Sequence, residues 1–482
     1  MNWKAIKSKC PIHNTISLID ILAKIGEGSK AQYTELRYQS RHINRISIEK
    51  GELESASSIS NKGVGIRTLV NGAWGFSSTN RLDREGLVAC LENSFKAGKV
   101  ASQGRRDGVE ALAEAELAQG SFKPKINDPV ENHSLEEKME LVREIEKRTR
   151  SYSNDIKSST CTYYEIMDEK SIVTSDGANV ELMDVKPEFS VSAVAGRNGD
   201  MNRGYEAVCV TGGWKDLFSR KSPEQVAEKA AKLALELLDA SNPEGGTSQV
   251  ILHPSLVGLI CHEAIGHTVE GDLVSAGSIT KDKIGQMVAS PLVTLVDSGM
   301  PEMYEHSAGS IPVDDEGVKC KDSRIIVGGE LRTYLVGREI AGSLGVDPCG
   351  NARAYEYGDT PVIRMRNTYI EPGESKVEEI IQETKKGYLL KGGGEGQADA
   401  NAEFMFTVEE AYEVRNGEIG KLLKNVTISG RAFDVLKSVD MVGQDFEFDM
   451  GYGFCFKGQA AKVDGGGPHL RCKALVGGRT EG

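Results

Sequence analysis

The chain has 482 residues, of which 39% are apolar and 27% are charged, and its formal net charge is −13. This length allows two or three compact domains with sizeable cores, and the balance of apolar and charged residues excludes a disordered chain. The pI near 5.3 and the lack of clustered Lys and Arg argue against a nucleic-acid-binding surface.

The first 28 residues, MNWKAIKSKCPIHNTISLIDILAKIGEG, have apolar positions interrupted by polar ones. That pattern predicts an amphipathic helix and not a secretion signal. No uncharged apolar run approaches the roughly 18 residues that a membrane-spanning helix needs, so we expect no membrane association. Nine cysteines, an odd number without CxxC pairs, indicate a reducing compartment. We therefore expect a cytoplasmic protein.

Three helices of the first half are predicted from their periodicity and their start signals. Residues 83–102 carry a helical pattern of apolar positions. Ser134 stands three residues before Glu137, which is the spacing of a capping box. Ser222 is followed by Pro223, a residue that favours the first turn of a helix.

Between these helices, alternating segments turn on dipeptides that favour hairpins, at Lys50–Gly51, Asn71–Gly72 and Asp176–Gly177. Helices mixed with hairpins predict an α+β fold. The segment 239–248, DASNPEGGTS, has the composition of a linker. We therefore predict an N-terminal α+β domain over residues 1–240 and a C-terminal, strand-rich domain over residues 241–482 that carries one metal-binding helix.

The second half is rich in glycine and in hairpin signals, such as the turn at Asn416–Gly417. Two glycine runs stand out: GGGEGQ after Lys391 and DGGGP after Val463. Neither follows a strand and opens a helix with the Lys and Ser or Thr of a phosphate-binding loop. We therefore expect turns or bulges at both runs and no nucleotide site.

The segment HEAIGHTVEGD places His262 and His267 five residues apart, with Glu263 beside the first. In the zinc motif HExxH, histidines four residues apart lie about 40° apart around the helix. Five residues separate them by roughly 140° on a straight helix, which is too wide for one metal. A shared metal therefore requires a π-type turn or a helix end, and Gly266 stands where such an irregularity costs little. The alternative is two ordinary polar residues of a half-buried helix.

A catalytic zinc site normally has three protein ligands and one water, so another ligand must come from elsewhere in the chain. Cys455 lies in the glycine-flanked segment GFCFKGQ, where a thiolate could point into a cleft or be a buried structural thiol. Cys261 precedes His262, but adjacent ligands rarely converge on one ion, so we expect a structural thiol. His253 and His469 are assigned no functional role.

The segments HEAIGHTVEGD and GFCFKGQ together resemble the TldD/PmbA family of metallopeptidases, and specifically its TldD branch. Family-like segments run along most of the chain, including YTELRYQ, GVGIRTLVNGAWGFSSTN, GSIPVDDEGV and MRNTYIEPGE. The resemblance implies a Zn²⁺ site made by His262, His267 and Cys455. The chain departs from the family at Ala398 and Ala402, where relatives have a GGxVDxxSG-like element, so substrate contacts are not carried over.

With zinc in such a site, Glu263 is expected to act as the catalytic base that takes the proton of the attacking water. Glu270 and Asp272 follow the end of the helix, where carboxylates often accept the second N–H of a ligand imidazole. Solvated loop carboxylates are the alternative for these two residues. The resemblance further implies hydrolysis of small or unfolded peptides.

The resemblance also implies a dimer, either of two identical chains or with a PmbA-like paralogue. One rival function is that of a non-catalytic, substrate-holding subunit in such a complex. The intact set of two histidines, Glu263 and Cys455 argues against it, because a subunit without metal needs none of these residues. A second rival, a structural zinc protein, would require a fourth Cys or His at a convincing spacing, and none is present.

Overall fold

The computed structural model describes residues 31–104, 108–399, 401–449 and 453–478. The amphipathic helix predicted for the first 28 residues lies outside these ranges. Within them, no helix has both the length and the apolar character needed to cross a membrane. Strands make up 43% and helices 22% of a mixed structure, which confirms the predicted α+β class.

The first half of the chain forms one seven-stranded sheet with the order β3-β2-β1-β5-β6-β4, in which β7 also pairs with β6. Neighbouring strands are antiparallel except β4 and β6, which are parallel. These strands are β1 (Tyr33–Glu49), β2 (Glu52–Val70), β3 (Ala73–Thr79), β4 (Gln119–Phe122), β5 (Ile156–Thr174), β6 (Asn179–Arg197) and β7 (Asp200–Cys209).

The hairpins of this sheet turn where the dipeptides predicted them. Lys50 and Gly51 connect β1 to β2 with φ of 52° and 86°, and Asn71 and Gly72 connect β2 to β3 with φ of 49° and 76°. Two consecutive residues with positive φ are what a two-residue hairpin turn requires, since they match the right-handed twist of the strands. The turn at Asp176–Gly177 connects β5 to β6. All three predicted hairpins of the first half are confirmed.

Among the described residues, four α-helices accompany the sheet: α1 (Arg84–Ser102), α2 (Leu135–Arg150), α3 (Trp214–Leu217) and α4 (Pro223–Glu236). Ser134 caps α2 by accepting from the Glu137 N–H at 3.1 Å, while the Glu137 carboxylate accepts from the Ser134 N–H at 2.7 Å. Ser222 closes the same kind of capping box on α4. These reciprocal bonds satisfy backbone donors that have no partner inside the helix. The three predicted helices are confirmed.

The second half contains all the remaining strands. The first sheet ends at Cys209 and the next strand begins at Gly246, while the division of domains at residue 240 stays a prediction. The strands are β8 (Gly246–Leu252), β9 (Leu295–Ser298), β10 (Ser323–Val327), β11 (Glu330–Leu331), β12 (Ala352–Arg353), β13 (Val362–Ile363), β14 (Asn367–Ile370), β15 (Lys386–Ala398), β16 (Glu403–Arg415), β17 (Glu418–Leu423), β18 (Val426–Arg431), β19 (Met441–Val442), β20 (Glu447–Phe448), β21 (Phe454–Phe456), β22 (Ala460–Lys462), β23 (Asp464–Gly467) and β24 (Leu470–Gly477).

Five of these strands close into a ring. The order β15-β8-β24-β18-β16 is completed by pairing of β16 with β15, while β17 extends β16 and β19 pairs with β24. Closure leaves the ring without free edges. A second sheet has the order β11-β10-β9-β14-β23-β20, and two short hairpins, β12-β13 and β21-β22, stand apart from both sheets.

The two glycine runs have different structures. GGGEGQ lies within β15, where the pairing with β16 shifts register between Gly393 and Gly396, so the expected bulge is confirmed. DGGGP forms β23, which pairs with β14 on one side and β20 on the other, so the expectation of a turn or bulge was wrong there. The glycines of both runs serve close packing: a Cβ on Gly466 would overlap the carbonyl oxygen of Glu447, and one on Gly393 would overlap the side chain of Leu259.

The helices of the second half are short: α5 (Pro254–Leu259), a π-helix (Ile260–Gly266), a 3₁₀ turn (His267–Val269), α6 (Gly271–Ser275), α7 (Arg338–Leu344), α8 (Val377–Gln382) and α9 (Ala432–Lys437). The first two form one continuous buried segment. Its apolar residues share a core with side chains of the strand ring, including Leu256, Ile260, Leu390 and Phe406. The ring therefore holds this segment rigidly in place.

Candidate metal centre

The segment that carries the two histidines is not a straight helix. It starts as α5 with His253 as its cap and Pro254 in its first turn. From Ile260 the backbone widens into the π-helix, and the His267 N–H donates to the carbonyl of His262, five residues earlier. This is the wider turn that the spacing of the histidines predicts. The predicted distortion is confirmed, and it brings the two imidazole ring centres to 5.4 Å.

The prediction that Gly266 is needed for its backbone freedom is wrong. Its φ of −53° is ordinary for a helix, so backbone freedom is not required there. A Cβ at this residue would overlap the Sδ atom of Met365, which packs against the helix. Residue 266 is therefore a glycine because the segment that carries Met365 packs too closely to leave room for a side chain.

Cys455 reaches the histidines from a different part of the fold. It lies on β21, which pairs with β22 so that Cys455 stands opposite Ala461. The cysteine is 3% exposed, and its Sγ lies 3.2 Å from the Nε2 of His267. One donor atom from each of His262, His267 and Cys455 lies within 4.8 Å of the others, and among the described residues no other such group of His, Cys, Asp or Glu occurs.

The protonation states of this group differ from those of free side chains. Burial disfavours the Cys455 thiolate, but the neighbouring imidazoles of His262 and His267 outweigh it and lower the pKa of Cys455 to about 4. Burial likewise disfavours the charged form of His267, but its contacts with Cys455 and Glu270 raise the pKa of His267 to about 10. A thiolate is therefore available as a ligand throughout the neutral range.

His262 is fully buried, and neither of its ring nitrogens has a hydrogen-bond partner among the described residues. A buried polar group without a partner costs free energy, so such groups indicate a missing ligand, water or ion. Imidazole nitrogen and thiolate sulfur are the ligands that Zn²⁺ accepts in proteins. The donor set and the unpartnered nitrogens of His262 therefore fit a bound metal ion.

Glu263 lies at the edge of the donor group. Its side chain is 31% exposed, and its Oε2 lies 3.8 Å from the Nε2 of His267. The carboxylate is thus both close to the donor atoms and open to solvent. That position suits a group that exchanges protons with water.

Glu270 and Asp272 have separate roles in the structure. Glu270 is fully buried, and its Oε2 lies 2.9 Å from the Nδ1 of His267, which leaves Nε2 facing Cys455. No hydrogen bond joins Asp272 to either imidazole within the described residues. Instead its carboxylate lies 2.7 Å from the Nζ of Lys457, which is also 3.0 Å from the Oε2 of Glu270.

Sequence reasoning missed Lys457. The lysine fixes Glu270, and it also donates to the carbonyl of Ile363 at 3.2 Å. The only signal that could have found it is its place in GFCFKGQ, two residues after Cys455. An ion pair between two segments that are distant in the chain has no signature in either segment alone.

The residues assigned no metal role do not belong to the donor group. Cys261 is 1% exposed within the apolar core, as expected of a structural thiol, and burial raises its pKa. His253 and His469 contact each other edge to face at 4.9 Å, and the Nδ1 of His469 lies 2.8 Å from the carboxylate of Asp445. Burial, reinforced by nearby cations, lowers the pKa of His253 to about 2, so this ring stays neutral as a helix cap.

Comparison with known proteins gives consistent matches along the chain. Models of the PmbA/TldA metallopeptidase match in three parts: domain 1 at residues 34–98, the central domain at 128–238 and the C-terminal domain at 245–478. A metalloprotease of Methanothermobacter thermautotrophicus is 33% identical over 93% of this chain and 96% of its own. A zinc metalloprotease TldD homolog of Saccharolobus solfataricus is 30% identical over 94% of this chain and 98% of its own.

The fold is also that of a solved structure. TldE from Thermococcus kodakarensis superposes with a TM-score of 0.76 and covers 95% of this chain and all of its own, at 18% sequence identity. At that identity the likeness concerns the fold alone. The histidine-bearing segment and Cys455 both fall within the part matched by the C-terminal domain model.

Proposed function

Because this chain belongs to the PmbA/TldD metallopeptidase family, we propose that it is a zinc-dependent peptidase that hydrolyses small or unfolded peptides. His262, His267 and Cys455 hold the metal in this proposal, and Glu263 is the base. The observation that carries it is the convergence of three donor atoms within 4.8 Å, one of them on a fully buried histidine without another partner.

A bound Zn²⁺ would supply Lewis acidity, which makes water a better nucleophile and polarises the peptide carbonyl. His262, His267 and Cys455 would supply three ligands, the number that catalytic zinc sites use when they also bind water or substrate. That number of ligands is one reason to prefer a catalytic over a purely structural metal. Among the described residues no fourth Cys or His joins the group.

Residues of the chain would then transfer the proton of the attacking water. The Glu263 carboxylate takes the proton of the attacking water and donates it to the nitrogen of the leaving amine. Glu270 accepts the Nδ1–H of His267, which keeps Nε2 free to bind the metal. Lys457 pairs with Glu270 and holds this buried carboxylate in position.

An extended peptide is the substrate that the surroundings of Cys455 support. Within the described residues β21 pairs only with β22, so its other edge would be the one that an extended segment joins by main-chain hydrogen bonds. Phe456 follows Cys455 in β21 and is 76% exposed, so this strand also offers an apolar side chain to a ligand. Main-chain recognition selects for an unfolded state more than for sequence.

We further propose a reducing, cytoplasmic setting and a dimer. All eight cysteines of the described ranges are free thiols, and a metal-binding Cys455 must stay reduced. Five large apolar side chains between residues 284 and 303 are 42–53% exposed, which supports contact with a second chain, either identical or PmbA-like. These residues are Ile284, Met287, Leu292, Met300 and Met303. Sedimentation of the purified chain, alone and with a PmbA-like paralogue, tests the pairing.

The experiment that tests the catalytic role is the substitution Glu263→Gln. The variant should bind zinc as the wild type does, because Glu263 is not a ligand, and should lose cleavage of an unstructured peptide by at least about a hundredfold. Glu418→Gln, on an exposed part of β17, is the matched control and should change neither property. Full cleavage by Glu263→Gln would contradict the role of base.

If the wild type binds zinc but cleaves no peptide, the rival function of a substrate-holding subunit gains support. A test with a PmbA-like partner then separates the two functions. Cleavage that appears only in the mixture and disappears with Glu263→Gln keeps the catalytic centre on this chain. Cleavage that survives Glu263→Gln in the mixture assigns the centre to the partner.

A further inference from the structure

Two arginines are buried close to the metal centre without a carboxylate partner. Arg364 is 1% and Arg353 8% exposed. Arg364 donates through Nη1 to the carbonyl of Gln459 at 2.7 Å, while its Nε and Nη2 have no hydrogen-bond partner among the described residues. Arg353 donates only to backbone carbonyls, those of Met365 at 2.7 Å and Lys462 at 2.6 Å. Neither arginine forms an ion pair with a described residue.

This arrangement is an exception in the molecule. The other buried arginines of the described ranges each have a carboxylate oxygen within 3.4 Å: Arg37, Arg41, Arg67, Arg338, Arg366 and Arg471. A buried charge without a counter-ion is unfavourable. Burial, together with the nearby charge of Arg364, also lowers the pKa of Arg353. Asp315, Asp184 and Asp297 favour the charged form of Arg353, but none of them forms an ion pair with it. The two arginines thus form a local excess of positive charge.

The segment that carries Arg364 touches the metal centre on both sides. The carbonyl of Ile363 accepts from Lys457, which fixes Glu270. Met365 packs against Gly266, the residue before His267. The partner of Arg364, Gln459, lies in the turn that connects β21 to β22, four residues after Cys455.

Arg353 contacts the same hairpin through the carbonyl of Lys462. It lines a polar cavity with Ala460 and Ala461 of β22. The same cavity is lined by three ion pairs, Arg41–Asp168, Lys170–Asp315 and Lys186–Asp184, which leave Arg353 without a carboxylate of its own. Ala461 stands directly opposite Cys455, and opposite residues of an antiparallel pair are about 5 Å apart. Arg353 therefore lines a cavity beside β22, the strand that pairs with the strand of Cys455.

We propose that Arg364, supported by Arg353, binds a carboxylate of the peptide substrate, either its C-terminus or an acidic side chain. The Nε and Nη2 of a guanidinium lie side by side and match the two oxygens of a carboxylate. This inference rests on the proposed peptidase function. Protein atoms cover both nitrogens, so entry of the carboxylate requires the turn between β21 and β22 to open at the Arg364–Gln459 hydrogen bond.

Binding of matched peptides to the zinc-loaded, full-length Glu263→Gln chain tests the proposal without turnover. The probes are one unstructured peptide with a free C-terminus, its C-terminal amide, and versions of the amide with an internal Gln replaced by Glu. We expect the free acid or a Glu-containing amide to bind at least tenfold more tightly than the neutral amide. The first result assigns the C-terminus as the ligand, and the second assigns an acidic side chain.

Arg364→Met should abolish this preference and Arg364→Lys should retain part of it, since lysine keeps the charge but not the paired donors. Arg324→Met, which removes an exposed arginine paired with Glu371, should leave the preference intact. Zinc content and thermal unfolding show whether each variant is folded. Equal affinity for all peptides, no binding of any peptide, or a preference that survives in Arg364→Met would overturn the proposal.

Cleavage by the wild type separates this inference from the proposed function. A chain that cleaves acid and amide peptides with equal kcat/KM refutes carboxylate recognition and leaves the peptidase intact. A chain that binds the acid tightly but cleaves neither peptide contradicts the peptidase and leaves the carboxylate site. An equal loss of kcat on every peptide in Arg364→Met would instead assign Arg364 to the transition state and refute the proposal.

Discussion

Replacing Lys457 by Met tests how the metal centre is held in place. The Nζ of Lys457 lies 3.0 Å from Glu270 and 2.7 Å from Asp272, and the Glu270 side chain is fully buried. The substitution would leave Glu270 with His267 as its only polar contact among the described residues, because its second oxygen already has none. The buried carboxylate would then lack its stable counter-charge.

Breaking a buried ion pair from one side costs about 3–5 kcal/mol. Lys457 is 20% exposed and Glu270 keeps its contact with His267, so we expect the lower end, about 3 kcal/mol, for the free energy of unfolding of the metal-free chain. Because Glu270 orients a metal ligand, zinc affinity should fall by about 10–100-fold. Adding Glu270→Gln to Lys457→Met should recover part of the stability, since it removes the unpaired charge, but not the affinity.

Urea unfolding gives the stability, and competition with a chelator gives the zinc affinity. The control is Lys386→Met, which breaks an ion pair of similar length, 2.8 Å, between side chains that are 65% and 57% exposed. An exposed pair contributes about 0–1 kcal/mol, and Lys386 lies outside the metal centre, so zinc affinity should not change. If Lys457→Met behaves like Lys386→Met in both assays, the role assigned to Lys457 is refuted.

Two other perturbations test the geometry and the charge state of the donor group. Gly266→Ala should cost about 1–3 kcal/mol of stability through overlap with Met365, and it should weaken zinc binding. Adding Met365→Ala should restore part of the stability and part of the zinc affinity, as measured by thermal unfolding and chelator competition. A Gly266→Ala chain with unchanged stability and zinc affinity would contradict the packing argument. The pKa of His267 is raised to about 10 and that of Cys455 is lowered to about 4. Between these two pH values the metal-free pair is an imidazolium and a thiolate. Zinc binding must therefore release the His267 proton even at pH 9. Calorimetry in buffers of different ionisation enthalpy should find about one proton released at pH 9, whereas side chains with ordinary pKa values would release about a quarter of one.

Local features of the fold followed from the sequence because their causes are local. Ser134 and Ser222 mark helix starts through bonds that span three residues, and Lys50–Gly51 marks a turn through positive φ. The widened turn between His262 and His267 followed from helix geometry once a shared metal was assumed. In each case the residues that determine the structure are neighbours in the chain.

Non-local features could not be read in the same way. Closure of the strand ring depends on β15 pairing with both β8 and β16, and no sequence motif specifies these two strand partners. DGGGP looks like a turn because three glycines are flexible, but Asp464–Gly467 pair with both β14 and β20, and Gly466 lies too close to Glu447 for a side chain. Cys455 is 188 residues from His267, so only resemblance to a family suggested it, and Lys457 went unnoticed beside it.

The most direct test of the metal centre is the zinc content of three purified chains after zinc addition: wild type, Cys455→Ala and Cys261→Ala. Both cysteines are buried, and Cys261 adjoins His262, but only Cys455 lies within the donor group. We expect about one zinc per chain in the wild type and in Cys261→Ala, and loss of both zinc and peptide cleavage in Cys455→Ala. Stoichiometric zinc in Cys455→Ala, or none in the wild type, would contradict the proposed centre.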